Sequence, residues 1–169
     1  MEGIVIAYKF LDAERVAPFT GFRWPIDEWV EADRVEPCRG GIHALRVHDL
    51  PIWMGRELWE IELDGDIVEQ ERKVVARRGR LVRRVPEWND ELLERFGRFC
   101  AKRTRERVGF LPMLSGFVAD VDRFVAQRRF PIAGFAAARA AELRGGSAAY
   151  DRERQAQAGW LAERLGLSA

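Results

Sequence analysis

Cysteine and unbalanced charge are both scarce in this sequence of 169 residues. Two cysteines, Cys38 and Cys100, are too few for a disulfide scaffold, so we expect free thiols in a reducing compartment. Lys and Arg number 28 against 27 Asp and Glu, which leaves a formal net charge of +1. That balance excludes a global electrostatic field that would attract nucleic acid or a membrane surface.

Long apolar runs are also missing. No window approaches the roughly 20 apolar residues of a membrane-spanning helix. The opening residues, Met1 to Lys9, have neither the basic segment nor the apolar run of a signal peptide. We therefore expect a cytoplasmic protein without a membrane partner. No highly specific catalytic motif occurs, so enzymatic activity stays open and no cofactor is predicted.

The two halves of the chain differ in their hydrophobic pattern. Alternating and β-branched residues predict strands in the first half, most clearly at Glu57–Leu63. After Pro86 the apolar residues recur at helical spacing, and Asn89 is predicted to cap the first helix. The sequence predicts a single α+β domain over residues 1–169. In it, a mostly antiparallel sheet (residues 1–86) packs against about four helices (residues 87–169).

Turn residues predict two turns within the sheet. Asp64-Gly65-Asp66 is a turn signal, and Arg77–Arg80, which includes Gly79, is assigned to a tight turn between the last two strands. An exposed arginine turn could bind phosphate. Nucleic-acid contact through Arg77–Arg80 is therefore a second alternative, although nucleic acid is not the expected partner.

The richest group of reactive side chains lies in Pro37–Leu45 and at His48. Cys38 could act as a nucleophile with His43 or His48 as its base. The alternative is a loop cysteine with His43 hydrogen-bonded inside the sheet. The usual zinc-ligand spacings are absent, so no metal site is predicted. Arg39, in the same stretch, is assigned to ligand binding.

Glu60 and Glu62 stand two residues apart on a predicted strand and therefore point to the same face. Two carboxylates in that arrangement could act as acid and base, and both are assigned as catalytic candidates with Cys38 and His43. The alternative is cross-strand ion pairing, because the acidic segment Glu57–Glu71 is followed by a strongly basic segment, Arg72–Arg84.

Aromatic residues concentrate in the first half, where five of the six tryptophans precede Asn89. This distribution indicates an aromatic-rich core or pocket. The segment Ala17–Trp29 is predicted to be a loop fixed by its aromatic side chains, either as a lid over the sheet or as a ligand-stacking loop. Tyr8 and Trp24 are assigned to ligand binding.

The helical half has one polar row. Tyr150, Arg154 and Gln157 recur at helical spacing in the last helix. They either line a pocket, and so are assigned to ligand binding, or dock that helix through hydrogen bonds. Cys100 lies on an apolar stripe and is predicted to be a buried small hydrophobic residue.

Several segments resemble an uncharacterised protein family of actinobacteria. They are Tyr8–Leu11, Pro37–Ala44, Asp49–Trp53, Leu58–Gly65, Lys73–Ala76 and Tyr150–Leu167. That family has no assigned activity. The resemblance therefore implies a bacterial, cytoplasmic protein and no particular reaction.

A second resemblance concerns the fold. The strand that begins at Gly41-Ile42, a short helix, and a glutamate-rich strand ending in Asp64-Gly65 resemble ADP-ribosyltransferase-like domains. In those domains a histidine, a tyrosine and a glutamate surround nicotinamide dinucleotide. The resemblance implies a distantly related fold and a nucleotide as the ligand.

Two functional hypotheses follow. The first is a ligand pocket between sheet and helices that binds or transforms a small polar molecule or nucleotide. Its predicted border is Tyr8, Trp24, Cys38, His43, Glu60 and Glu62. The second is a non-catalytic module that presents a charged hairpin and an exposed apolar patch around Trp24 and Trp29 to a protein partner.

Overall fold

The computed structural model describes residues 3–37 and 39–167. The chain divides into two compact units. The sheet unit contains the chain up to Asp49 together with Gly55–Trp88, and the helical unit contains Leu50–Met54 and the chain from Asn89 onward. All described strands belong to the first unit and all described α-helices to the second, which confirms the α+β class. That the units form one domain stays a prediction.

The sheet unit contains five strands among the described residues. They are β1 (Val5–Leu11), β2 (Val30–Glu31), β3 (Ile42–Ala44), β4 (Glu57–Gln70) and β5 (Lys73–Arg84). Antiparallel pairing gives the order β1-β4-β5-β2, and β3 also pairs with β5. Beyond the end of β3, Leu45 exchanges two backbone hydrogen bonds with Tyr8 of β1, at 2.7 and 2.8 Å. The sheet therefore curls back on itself and encloses one of its faces.

The enclosed face forms the core of this unit. Successive residues of a strand point to opposite faces, so Ala7 and Ile61, which stand opposite each other, both point inward. Ile42 and Ala76 form an equivalent pair between β3 and β5. These side chains are buried in one cluster with Trp24, which enters from the loop before β2.

The predicted turn at Asp64-Gly65-Asp66 is wrong, because these residues lie inside β4. The turn of the β4–β5 hairpin is Glu71-Arg72. The pairing of the two strands shifts register between Asp64 and Ile67, and Gly65 has a φ of +77°. The glycine therefore serves a β-bulge, which needs a residue that tolerates positive φ.

The predicted turn at Arg77–Arg80 is also wrong, because these residues lie in the middle of β5. A Cβ atom on Gly79 would stand 2.7 Å from Ile42 Cγ2 and 3.0 Å from Ile61 Cδ1. Gly79 is therefore explained by close packing on the enclosed face and not by a change of chain direction.

The helical unit contains one short and four longer helices among the described residues. They are α1 (Leu50–Trp53), α2 (Asp90–Val108), α3 (Ser115–Ala126), α4 (Phe130–Gly145) and α5 (Ser147–Leu165). The Asn89 side chain accepts a 2.9 Å hydrogen bond from Leu92 N and caps α2, as predicted. Cys100 is buried, also as predicted. The alanine-rich α4 contacts each of the other helices.

Among the residues described, none of the helices combines the length and the apolar character that a membrane span needs.

Replacing Gly79 with valine tests the close packing inside the sheet. We expect the Gly79→Val variant to lose about 1–3 kcal/mol of unfolding free energy, because the added methyl groups overlap Ile42 and Ile61. Urea denaturation followed by tryptophan fluorescence measures the loss. The control is Gly3→Ala, since a Cβ atom there meets nothing within 4 Å. Equal stability of the two variants would contradict the packing argument.

Candidate functional site

The candidate residues of the sheet unit lie on two opposite faces. Ile42 and Ala44 belong to the enclosed core, so His43 between them points to the outer face. Tyr8 and the glutamates of β4 also alternate with core residues and lie on the outer face. Trp24 is buried on the enclosed face. The sheet therefore separates Trp24 from Tyr8, His43, Glu60 and Glu62, while Cys38 lies outside the described residues.

The two catalytic glutamate candidates are ion-paired across the β4–β5 hairpin. Glu60 stands opposite Arg83, and their charged groups are 3.2 Å apart. Glu62 stands opposite Arg80, whose guanidinium donates two hydrogen bonds of 2.5 and 3.0 Å to it. The structure thus shows the cross-strand pairing that the sequence offered as the alternative. Each such pair stabilises a sheet by roughly 0.2–1 kcal/mol.

The arginines of the supposed turn are engaged in the same way. Arg78 donates a 3.0 Å hydrogen bond to Asp64, opposite it on β4. The guanidinium carbons of Arg78 and Arg80 lie 4.8 and 5.1 Å from the centroid of the Trp29 ring, which is within cation–π distance. Nucleic-acid contact through an exposed arginine turn therefore loses its structural basis.

Tyr8 carries a protonated phenol in this setting and is not a base. Its side chain is buried and stands directly opposite Glu60. Burial raises the pKa of Tyr8, the charge of Glu60 raises it further, and Arg83 opposes both effects. The phenol therefore keeps its proton at neutral pH.

His43 is held neutral. Its imidazole Nε2 is buried and has no hydrogen-bond partner in the described part of the chain. Burial lowers the pKa of His43 to about 4, and the positive charges of Lys73 and Lys9 contribute to the shift. A base with so low a pKa removes protons poorly at neutral pH, which argues against the catalytic role assigned to His43.

Lys9 is a site residue that the sequence analysis missed. Its Nζ donates a 2.7 Å hydrogen bond to the His43 carbonyl and lies 4.8 Å from the centroid of the Trp24 ring. Burial lowers the pKa of Lys9 to about 8. Within residues 3–37 and 39–167, no carboxylate forms an ion pair with it. The available signal was the strand alternation, which places Lys9 with Ala7 and Leu11 on the enclosed face.

The remaining polar residues around β3 pair locally. Arg39 donates a 3.3 Å hydrogen bond to Glu36. Asp49 is buried and accepts hydrogen bonds from the backbone and the guanidinium of Arg46, at 3.1 and 2.8 Å. His48 is largely exposed, with Nε2 3.7 Å from Asp49. In the described residues, no three His, Cys, Asp or Glu side chains are arranged to hold a metal ion.

The polar row of α5 fits the docking alternative. Gln157 is fully buried and donates a 2.9 Å hydrogen bond to the Gly134 carbonyl of α4. Arg154 donates in turn to the Gln157 side-chain oxygen, also at 2.9 Å. Tyr150 makes an edge contact with the Phe135 ring of α4. The assignment of these residues to ligand binding stays a prediction.

A buried carboxylate on the same helix was missed. Glu153 is 1% exposed and receives the guanidinium groups of Arg103 and Arg107 from α2, with closest atoms 2.9 and 2.5 Å apart. Its position three residues after Tyr150 and four before Gln157 gave the signal, since that spacing puts all three on one helix face.

The predicted ligand pocket stays a prediction. Its expected border was Tyr8, Trp24, Cys38, His43, Glu60 and Glu62. One open groove that the structure does show lies within the helical unit. It is lined by Arg105, Gly109, Ser115, Val118, Ala119 and Asp122. Arg105 pairs with Asp122 at 2.6 Å beside it, so its two charged residues satisfy each other.

These features define a class of protein: a small α+β protein with a curled antiparallel sheet whose outer face is neutralised by its own ion pairs. The pattern of the family described as "Domain of unknown function (DUF7666)" matches residues 5–93, which is more than half of the chain. The chain belongs to this family. The match includes every described strand, and the expectation of an uncharacterised family is confirmed. No curated protein and no solved structure matches the chain.

The low pKa of His43 makes folding stability depend on pH. As the pH falls below about 6.5, the ordinary pKa of histidine, the unfolded chain takes up the proton before the folded protein does. We therefore expect the His43 contribution to stability to be present above pH 6.5 and to be lost as the pH falls through about 4. In the His43→Gln variant this part of the pH dependence should disappear, as measured by urea denaturation across that range.

An NMR titration of the imidazole protons provides the direct check. The chain has two histidines, so a His48→Gln variant assigns the remaining signal to His43. A His43 signal that titrates near pH 6.5 would contradict the burial argument.

Proposed function

We propose that this protein is a non-catalytic module that binds a protein partner through one exposed aromatic loop. The observation that carries the proposal is Phe19, which is 90% exposed at the tip of a hydrogen-bonded loop. We call residues 17–22 the Phe19 loop. A large aromatic side chain kept in water on an ordered loop is typical of an interaction anchor.

Internal hydrogen bonds fix the shape of the Phe19 loop. Ala17 N donates to the Phe22 carbonyl at 2.8 Å, and Gly21 N donates to the Ala17 carbonyl at 2.9 Å. The backbone N of Phe22 also donates to the Thr20 hydroxyl at 3.3 Å. Because the loop is already closed, Phe19 would lose little conformational entropy on binding.

The base of the loop is fixed to the core of the sheet unit. Trp24 is buried there, and it exchanges hydrogen bonds with Arg15: Trp24 N donates to the Arg15 carbonyl at 3.0 Å, and Arg15 Nε donates to the Trp24 carbonyl at 2.9 Å. The Phe22 ring stands edge-on to the Trp24 ring, with centroids 5.7 Å apart. Phe19 therefore projects from a braced support.

The exposed apolar surface differs from the predicted one. The hypothesis of an interaction module placed an apolar patch around Trp24 and Trp29, but Trp24 is buried and Trp29 is covered by arginines. The exposed residues are instead Phe19, with Phe22 at 45% and Ile26 at 43% exposure nearby in sequence. One ring that is 90% exposed, with less exposed apolar residues near it in sequence, resembles a single hot-spot anchor.

The charges around the Phe19 loop favour a protein over a lipid surface. Residues 12–28 contain four acidic residues and two arginines, and so carry a net negative charge. An anionic membrane would repel this segment. A protein partner with an apolar pocket for one aromatic ring and a neutral or basic rim has the matching chemistry.

The other hypotheses receive less support from the contacts. Transformation of a small polar ligand or nucleotide at the predicted border, including an activity like that of the ADP-ribosyltransferases, needs free acid–base groups, whereas Glu60 and Glu62 are neutralised by arginines. The resemblance to an actinobacterial family supports a bacterial, cytoplasmic setting for the proposed role.

The Phe19→Ser variant tests the proposal. Proteins that the wild type retains from a host lysate are identified, and each is then purified and titrated against wild type and variant by calorimetry. We expect a 1:1 complex that Phe19→Ser weakens by about thirtyfold or more, because a hot-spot anchor is worth at least about 2 kcal/mol. The unfolding free energy should stay unchanged, since the Phe19 side chain is in water.

The matched control is Met113→Ser, which removes a side chain of 88% exposure from the helical unit. Equal weakening by both variants would contradict the proposal. So would a purified complex indifferent to Phe19→Ser, binding to lipid vesicles that depends on Phe19, or self-association through the loop without another partner.

A further inference from the structure

The helical unit contains a second charged assembly, on the facing surfaces of α2, α4 and α5. Its anchor is Glu153, which is buried on α5 and accepts both hydrogen bonds of Arg103 Nε, at 2.9 and 3.1 Å. Arg107, one turn further along α2, brings its guanidinium within 2.5 Å of the same carboxylate. One buried negative charge thus holds two arginines whose side chains remain 26% and 30% exposed.

A third arginine joins this group from α4. The Arg144 guanidinium donates a hydrogen bond to the Arg107 carbonyl and lies 5.0 Å from the centroid of the Phe110 ring. Arg144 thus has a fixed position beside Arg107, while its residue is exposed and forms no ion pair among the described residues. Arg152, next to Glu153 on α5, is also exposed. We call Arg103, Arg107, Arg144 and Arg152 the arginine cluster.

Positive charge exceeds negative charge in the arginine cluster. Burial lowers the pKa of Arg107, the charge of Glu153 opposes that shift, and the charges of Arg103, Arg152 and Arg144 lower the pKa further. Two other acidic residues of these helices are paired elsewhere, Glu106 with Lys102 and Glu142 with Arg139, while Asp151 stands next to Arg152 on α5. Two guanidinium groups hold the Glu153 carboxylate, and the positive charges of Arg144 and Arg152 add to theirs around Arg107.

We propose that the arginine cluster is a binding site for a small molecule that carries a phosphate or pyrophosphate group. Guanidinium groups donate in a planar fork that matches phosphate oxygens, and a bound dianion would relieve the mutual repulsion of the arginines. The contacts to Glu153 involve Arg103 Nε and Arg107 Nη1, whereas each guanidinium carries five N–H donors.

The ligand class follows from the extent of the charge. The cluster is compact and confined to three helices, whereas the whole chain has a net charge of only +1. A nucleic acid needs a positive surface that follows many phosphates. A single phosphate or pyrophosphate group fits four neighbouring guanidiniums better.

The test uses the two arginines that do not hold Glu153. Pyrophosphate and inorganic phosphate are titrated into the full-length protein by calorimetry at low ionic strength. We expect pyrophosphate to bind wild type, and the double variant Arg144→Gln/Arg152→Gln to weaken binding by about tenfold or more through the loss of two charge-assisted contacts. Arg103 and Arg107 are left intact, because their removal would leave Glu153 buried without its partners.

The matched control is Arg95→Gln, which removes an exposed arginine of α2 outside the cluster. It should bind pyrophosphate like wild type, and circular dichroism should show unchanged helix content in every variant. Absence of pyrophosphate binding, equal binding by the double variant, or equal weakening by Arg95→Gln would each overturn the proposal. The proposal would also be overturned if an oligonucleotide bound wild type and the double variant equally while pyrophosphate bound neither.

Discussion

The return of β3 to β1, through the paired backbone hydrogen bonds of Tyr8 and Leu45, is the constraint on which the sheet unit depends. Because this pairing curls the sheet, every strand acquires an inner and an outer face with different chemistry. The inner face takes the apolar core and, with it, the Lys9 side chain. The outer face carries most of the charge, and there β4 and β5 neutralise each other pair by pair. Glu60 and Glu62 on that face therefore take part in the ion pairs that join the two strands.

The two units handle buried charge differently. In the sheet unit, Lys9 has a carbonyl and an aromatic ring as neighbours. Burial therefore lowers the pKa of Lys9. In the helical unit, two arginine guanidiniums reach the buried Glu153 carboxylate. A buried carboxylate that lost those partners would be strongly destabilising, which makes the packing of α2 against α5 selective for one alignment. Arg144 and Arg152 do not hold Glu153 and are not needed for that alignment.

The sequence predicted the fold class, the cap at Asn89 and the burial of Cys100, because each follows from local periodicity or capping chemistry. It failed at Gly65 and Gly79, since a glycine that serves a bulge or close packing has the same local signature as one in a turn. The residues of the candidate site were harder to predict from the sequence than the fold class. The pairing between Glu62 and Arg80 could be predicted, because an acidic strand is followed by a basic one. The exposure of Phe19 and the ion pairs of Arg103 and Arg107 with Glu153 depend on tertiary contacts that no local pattern encodes.

The membership of α1 in the helical unit affects the order in which the protein can fold. Leu50 is fully buried, and α1 contacts α4 and α5. In the sequence, however, α1 precedes β4 and β5, the two long strands of the sheet. During synthesis the sheet strands β4 and β5 emerge next, while the surfaces that cover Leu50 emerge last. The apolar side chain of Leu50 therefore stays uncovered by α4 and α5 until those two helices have left the ribosome. Severing the chain between Trp88 and Asn89 would separate α1 from the helices that bury it.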